Sequence, residues 1–254
     1  MLVALGPGPE AWMRQGIGVV AVIAAVALPA CGYPDFSFSG TSGTGGQGTT
    51  ASTTSATSAT GTGGSAPLCP VQHLLISQVR TRGSKGASDE FVELYNPMGQ
   101  DVVLDDTWSI VDSTANATGS AYAQRWKGTG KTIRARGHFL IAGTGYVQAP
   151  APDELLSNGI TDAASLVLKN NGGTIGALCY YNDSILGSKD ELENLGYTCE
   201  GTPVQNPHDD MNDTNFDESL DRKAAGGAPQ CSDTADNASD FAPLAPAAPH
   251  SSSG

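Results

Sequence analysis

Positive charge is scarce in this sequence. Thirteen Lys and Arg stand against 26 Asp and Glu, a formal net charge of −13 over 254 residues. A chain this acidic repels phosphate backbones at long range, which removes nucleic acid as the main partner. No Cys-x-x-Cys pair occurs, and the four histidines do not cluster with the cysteines, so a structural zinc site fails on spacing. No G-x-S-x-G elbow is present to raise a nucleophilic serine. The stretch G-T-G-K-T (Gly128 to Thr132) is no phosphate loop, because Arg125 stands where the first glycine of that pattern belongs. Helical periodicity is almost missing too. Its one convincing stretch is S-K-D-E-L-E-N-L, with Ser188 as cap and Glu191 at the third position.

The apolar run Ile17 to Leu28 (I-G-V-V-A-V-I-A-A-V-A-L) falls short of the about 20 residues that cross a bilayer. Arg14 precedes it and L-P-A-C (Leu28 to Cys31) follows, the order of an export signal over residues 1–30. Met13 makes a more ordinary signal start than Met1, since Met1 to Trp12 carries Glu10 and no base. The L-P-A-C ending resembles the lipobox of bacterial lipoproteins, which implies cleavage before Cys31 and lipidation of that residue. One acyl chain holds a membrane only marginally, so several on one cysteine make a durable anchor. The expected location is the cell envelope, anchored to a membrane, the outer one for preference, with the domain periplasmic or extracellular.

Residues 31–66 then read as a tether. From Ser39 to Ala66 almost every residue is Gly, Ser, Thr or Ala, which cannot bury enough apolar surface to offset chain ordering. Such a segment spans roughly 30 Å root-mean-square. With Cys31 lipidated, four cysteines remain for an oxidising compartment: Cys69, Cys179, Cys199 and Cys231. Two disulfides with three possible connectivities follow. The favoured pairing is Cys179–Cys199, closing one long loop, and Cys69–Cys231, joining the ends of the domain.

From Pro67 to Pro246 short alternating runs recur: L-L-I-S-Q-V, E-F-V-E-L-Y-N, W-S-I-V-D, K-T-I-R-A, H-F-L-I-A, S-L-V-L-K and T-I-G-A-L-C-Y-Y. Gly, Asn, Pro and Asp punctuate them, and N-N-G-G (Asn170 to Gly173) reads as a hairpin turn. The expectation is an all-β sandwich or small barrel. In E-F-V-E-L-Y-N, Val92 and Leu94 point inward while Phe91, Glu93 and Tyr95 share the opposite face. Glu93 is therefore expected in solvent. Residues 247–254 read as a disordered tail.

The ordered series resembles a lamin-tail domain. Carrying the resemblance are L-L-I-S-Q-V, D-E-F-V-E-L-Y-N-P, V-V-L-D-D-T-W-S-I-V-D, F-L-I-A-G, S-L-V-L-K-N, S-L-D-R-K and D-T-A-D-N-A-S-D-F-A-P. It implies an immunoglobulin-like β-sandwich and a role in binding or tethering, with no catalytic residues. Where the family has Leu-x-Gly-Trp, this chain separates Leu104 from Trp108 by Asp105, Asp106 and Thr107. The acidic insertion, about 200–218, lies outside the pattern.

The expected function is non-enzymatic, a membrane-anchored protein presenting its domain to a protein or an envelope polymer. The alternative is a calcium-type hydrolase or calcium-dependent adhesion module. It would use Asp213, Asn215 and Asp217, whose oxygens fall at alternate positions as Ca²⁺ ligation favours. The turn glycine of a calcium loop is missing there, and a solvated acidic loop is the favoured reading of the segment. Asn116, Asn182, Asn212 and Asn237 head Asn-x-Ser/Thr triplets, read as chance in polar loops.

Overall fold

The computed structural model describes residues 68–114, 122–182, 197–208 and 215–253. The expected signal, tether and Cys31, the helix from Ser188 to Leu195, and Asp213 all lie outside those residues.

Alternating sequence becomes alternating burial. Strands β1 (Leu75–Arg80), β2 (Phe91–Tyr95), β7 (His138–Ala142), β8 (Glu154–Leu155), β12 (Ser219–Arg222) and β13 (Phe241–Leu244) form a six-stranded sheet, ordered β13-β12-β1-β2-β7-β8. A five-stranded sheet is ordered β11-β10-β9-β4-β5. Its members are β4 (Trp108–Thr114), β5 (Ala123–Lys127), β9 (Ala164–Asn170), β10 (Gly173–Tyr181) and β11 (Val204–Gln205). A small ladder joins β3 (Val102–Leu104) to β6 (Lys131–Ile133). All pairings are antiparallel except β7–β8 and β10–β11. Among the described residues a short helix, α1 (Asn237–Asp240), is capped by the Asp236 carboxylate, which accepts from the Ser239 amide.

The two large sheets share one apolar core. Val92, Leu94, Phe139 and Ile141 meet Ile110, Leu166, Leu168 and Leu178, all at most 1% exposed. Each such side chain contributes about 1.5–3 kcal/mol by leaving water. This is the all-β sandwich expected from alternation. The N-N-G-G turn is a two-residue hairpin in which Asn171 (φ 49°) and Gly172 (φ 78°) are both left-handed, as the twist of paired strands prefers. The Leu104–Trp108 bend is built on Asp105, whose carboxylate accepts from the Thr107 amide while its carbonyl accepts from the Trp108 amide.

Both disulfides join the favoured partners, Cys69–Cys231 and Cys179–Cys199, with Cα separations of 5.7 and 5.2 Å. Cys69–Cys231 spans 162 residues and Cys179–Cys199 spans 20. Closing loops of those lengths removes chain entropy equivalent to about 5 and about 3 kcal/mol respectively.

Residues 247–253 correct the sequence reading. They are no disordered tail: Ser251 is 2% exposed, the His250 amide reaches Glu93, and the Ser252 amide reaches Asp153 at 3.0 Å. The segment lacks apolar periodicity, and polar hydrogen bonds rather than a greasy stripe hold it to the sheet. Asn182 and Asn237 are buried and hydrogen-bonded, which closes those two triplets to a glycosylating enzyme.

Candidate functional site

The face of the six-stranded sheet turned away from the core is roofed, and the roof makes the site. On β2, Phe91, Glu93 and Tyr95 point to this face, as strand geometry requires. Register sets Gln78 of β1 and Leu140 of β7 beside Glu93, and His138 beside Tyr95. Gln230 and residues 247–253 then close over them. Glu93 is 0% exposed, so its expected place in solvent is wrong. A buried carboxylate needs donors, and it has them. Oε1 accepts from the Ser77 hydroxyl at 2.6 Å and the Gln230 amide at 3.2 Å. Oε2 accepts from the His250 backbone amide and faces His250 Nδ1 at 3.2 Å.

The Gln230 amide nitrogen also donates to Asp221 at 2.8 Å, so two carboxylates fix its orientation. Its oxygen is thereby aimed at His138 Nε2, 2.8 Å away, which assigns the proton to that nitrogen. Three rings stack above: Tyr95 on His138 at 4.7 Å and His138 on His250 at 4.5 Å. The two imidazoles are pushed in opposite directions. The hydrogen bond to Glu93 raises His250, whereas burial lowers His138. A cavity of about 230 Å³ lies alongside, lined by Gln78, His138, Asp221, Gln230, Leu244 and His250.

Glu93, His138 and His250 offer ligand atoms within 4.8 Å of one another. Their arrangement does not suit one ion. Imidazole lone pairs lie in the ring plane, and two rings stacked only 27° from parallel have no common point at about 2 Å from both nitrogens. The cluster holds a proton and a chain segment. Among the described residues no histidine nitrogen is hydrogen-bonded to a Ser, Thr or Cys side chain.

The proposed calcium ligands fare differently from one another. Asn215 is exposed, and Asp213 lies outside the described residues. Asp217 turns inward to the Arg80 guanidinium at 2.7 Å. Arg80, itself 0% exposed, also pairs with Asp89, donates to Gln148 at 2.5 Å and lies over the Phe91 ring at 4.9 Å. Asp217 is thus an ion-pair partner of a buried guanidinium, which competes with a cation for its oxygens. A second acidic group, Glu200, Asp233 and Asp240, surrounds Arg222, whose Nη1 is 3.8 and 3.9 Å from the two aspartates. There the guanidinium supplies the balancing charge.

Sequence reasoning missed the roofed cluster and Arg80. The available signal was Glu93 itself, a carboxylate between aromatic residues, but its covering residues are 137 and 157 positions away. No protein-family model matches the chain, and no curated protein matches it either.

Proposed function

We propose that this chain is an exported, lipid-anchored binding module, a lamin-tail-like immunoglobulin-type sandwich held at the cell envelope to engage a protein or envelope polymer. The observation that carries the reading is the cysteine arithmetic. Five cysteines occur in the chain, and four pair with one another as Cys69–Cys231 and Cys179–Cys199. Cys31 therefore has no cysteine left to pair with, and it is the one that follows Leu-Pro-Ala after a short apolar run. Two disulfides suit an oxidising compartment, and a lone cysteine in that context suits acylation.

The roofed face fits a binding role better than a catalytic one. Its carboxylate and imidazoles are spent on each other and on the 247–253 segment. The test is fractionation of cells producing the natural chain and Cys31→Ser. The natural chain is expected in the membrane fraction, with a mature amino-terminal peptide heavier by its acyl groups. Cys31→Ser is expected to lose that mass and leave the fraction. Equal membrane association of both would overturn the anchor.

A further inference from the structure

Six arginines fall among the described residues, and four sit on carboxylates. Arg80 pairs with Asp89 and Asp217, Arg82 with Asp162, Arg125 with Asp112, and Arg222 with Asp233 and Asp240. Arg134 and Arg136 alone have no carboxylate within 4.0 Å among the described residues. Both are exposed and stand two positions apart in sequence. They also line one cleft, of about 230 Å³, together with His138, Ser251 and Ser252.

The neighbouring acids are otherwise engaged. Asp101 accepts from the Ala135 amide at 2.8 Å. Asp153 accepts from the Leu140 and Ser252 amides, at 2.8 and 3.0 Å, and from the Ser252 hydroxyl. Both carboxylates accept from neutral donors and keep their charge, but neither forms an ion pair with the two guanidiniums. The β6–β7 turn that carries the arginines is held firmly. The buried Asn96 side chain donates to the Arg134 carbonyl at 3.0 Å and the Gln100 carbonyl at 2.8 Å, and the Arg136 amide donates to Met98 at 3.2 Å. A turn fixed in advance loses little entropy when it takes a ligand.

We propose that this cleft binds a single phosphate group carried on an otherwise neutral sugar or polyol. Guanidinium forks bind phosphate oxygens bidentately, and the three or four oxygens of a phosphate can serve two forks at once. The negative field of the whole chain disfavours densely charged polymers and anionic bilayers, so an isolated phosphate is the favoured form. The inference rests on the binding-module reading and names its ligand chemistry.

The experiment is calorimetric titration of the full chain in neutral detergent micelles with inorganic phosphate and with glycerol 3-phosphate, at roughly 0.15 M salt. One-to-one saturable binding is expected. Arg134→Gln and Arg136→Gln should each weaken it about tenfold, with melting temperature unchanged. Lys85→Gln, an exposed cation elsewhere, should leave it intact. Absence of saturable binding, or equal binding by the double variant Arg134→Gln/Arg136→Gln, would overturn the proposal. So would a response confined to micelles doped with phosphatidylglycerol, which would assign the arginines to a membrane surface. None of these results touches the membrane fractionation of Cys31→Ser, so the ligand and the anchor fail separately.

Discussion

Glu90 is a carboxylate whose chemistry departs far from its unfolded state. It lies just before β2, 3% exposed, with its Oε2 accepting from the Ile160 amide at 2.8 Å. Burial pushes its carboxyl up to about 7 from 4.5, and the nearby Asp112 adds to the rise against Arg125. Because the folded value lies above the unfolded one, the folded chain keeps a proton that the unfolded chain has lost across that interval. Stability therefore falls as pH rises from about 4.5 to about 7, by up to about 3 kcal/mol. Glu90→Gln keeps an oxygen for Ile160 and removes the titration. Its melting temperature is expected to exceed that of the natural chain at pH 8 and to match it near pH 4.5. Identical pH profiles by scanning calorimetry would show that Glu90 carries no such load.

His250 titrates with the opposite chemistry and the same sign. Its pKa is raised by Glu93, so its contribution is whole below about 6.5 and is lost as pH climbs through the folded value. Around it stand Glu93, His138 and Asp221. His250→Ala should speed amide exchange across residues 247–253 at pH 6, and the natural chain should approach that rate at alkaline pH. Exchange that is equally slow in both at pH 6 would show that the backbone bonds alone hold the segment.

At the scale of elements, what could be read from the sequence was local and what could not was long-range. The β9–β10 hairpin was legible because Asn171 and Gly172 tolerate the two left-handed conformations their turn demands. The facing of β2 was legible as well: Val92 and Leu94 do join the core, and Phe91, Glu93 and Tyr95 do share the other side. What period-two alternation cannot say is whether that other side meets water. It was hidden because the cover comes from Gln230 and from a Pro-, Ala- and Ser-rich stretch with no pattern of its own. Polar residues can roof a sheet when each finds a donor or acceptor, and such pairing leaves no mark on hydropathy. Removing residues 247–254 should therefore cost about 1–3 kcal/mol, as Glu93 loses two donors. An unchanged urea midpoint would mean that solvent replaces them fully.

At the scale of the whole molecule, the acidic balance and the cysteine count were the most informative sequence features, since neither depends on knowing the fold. The cysteines led to the disulfide pairing that the structure contains, while nothing in the sequence pointed to Arg134 and Arg136, whose lack of partners is visible only in three dimensions. The Cys69–Cys231 bond also has a mechanical meaning. It joins the second described residue to one beyond β12, so tension arriving from upstream of Cys69 bypasses β1 and passes across the covalent link. Pulled from both sides of the Cys69–Cys231 bond, the domain can extend only in the part beyond Cys231, which holds α1, β13 and the covering segment, because the covalent link spans the strands between the two cysteines. Tension would thus peel the covering segment before it unravels the sandwich, and a reducing agent should release a much longer extension in a single-molecule pulling trace.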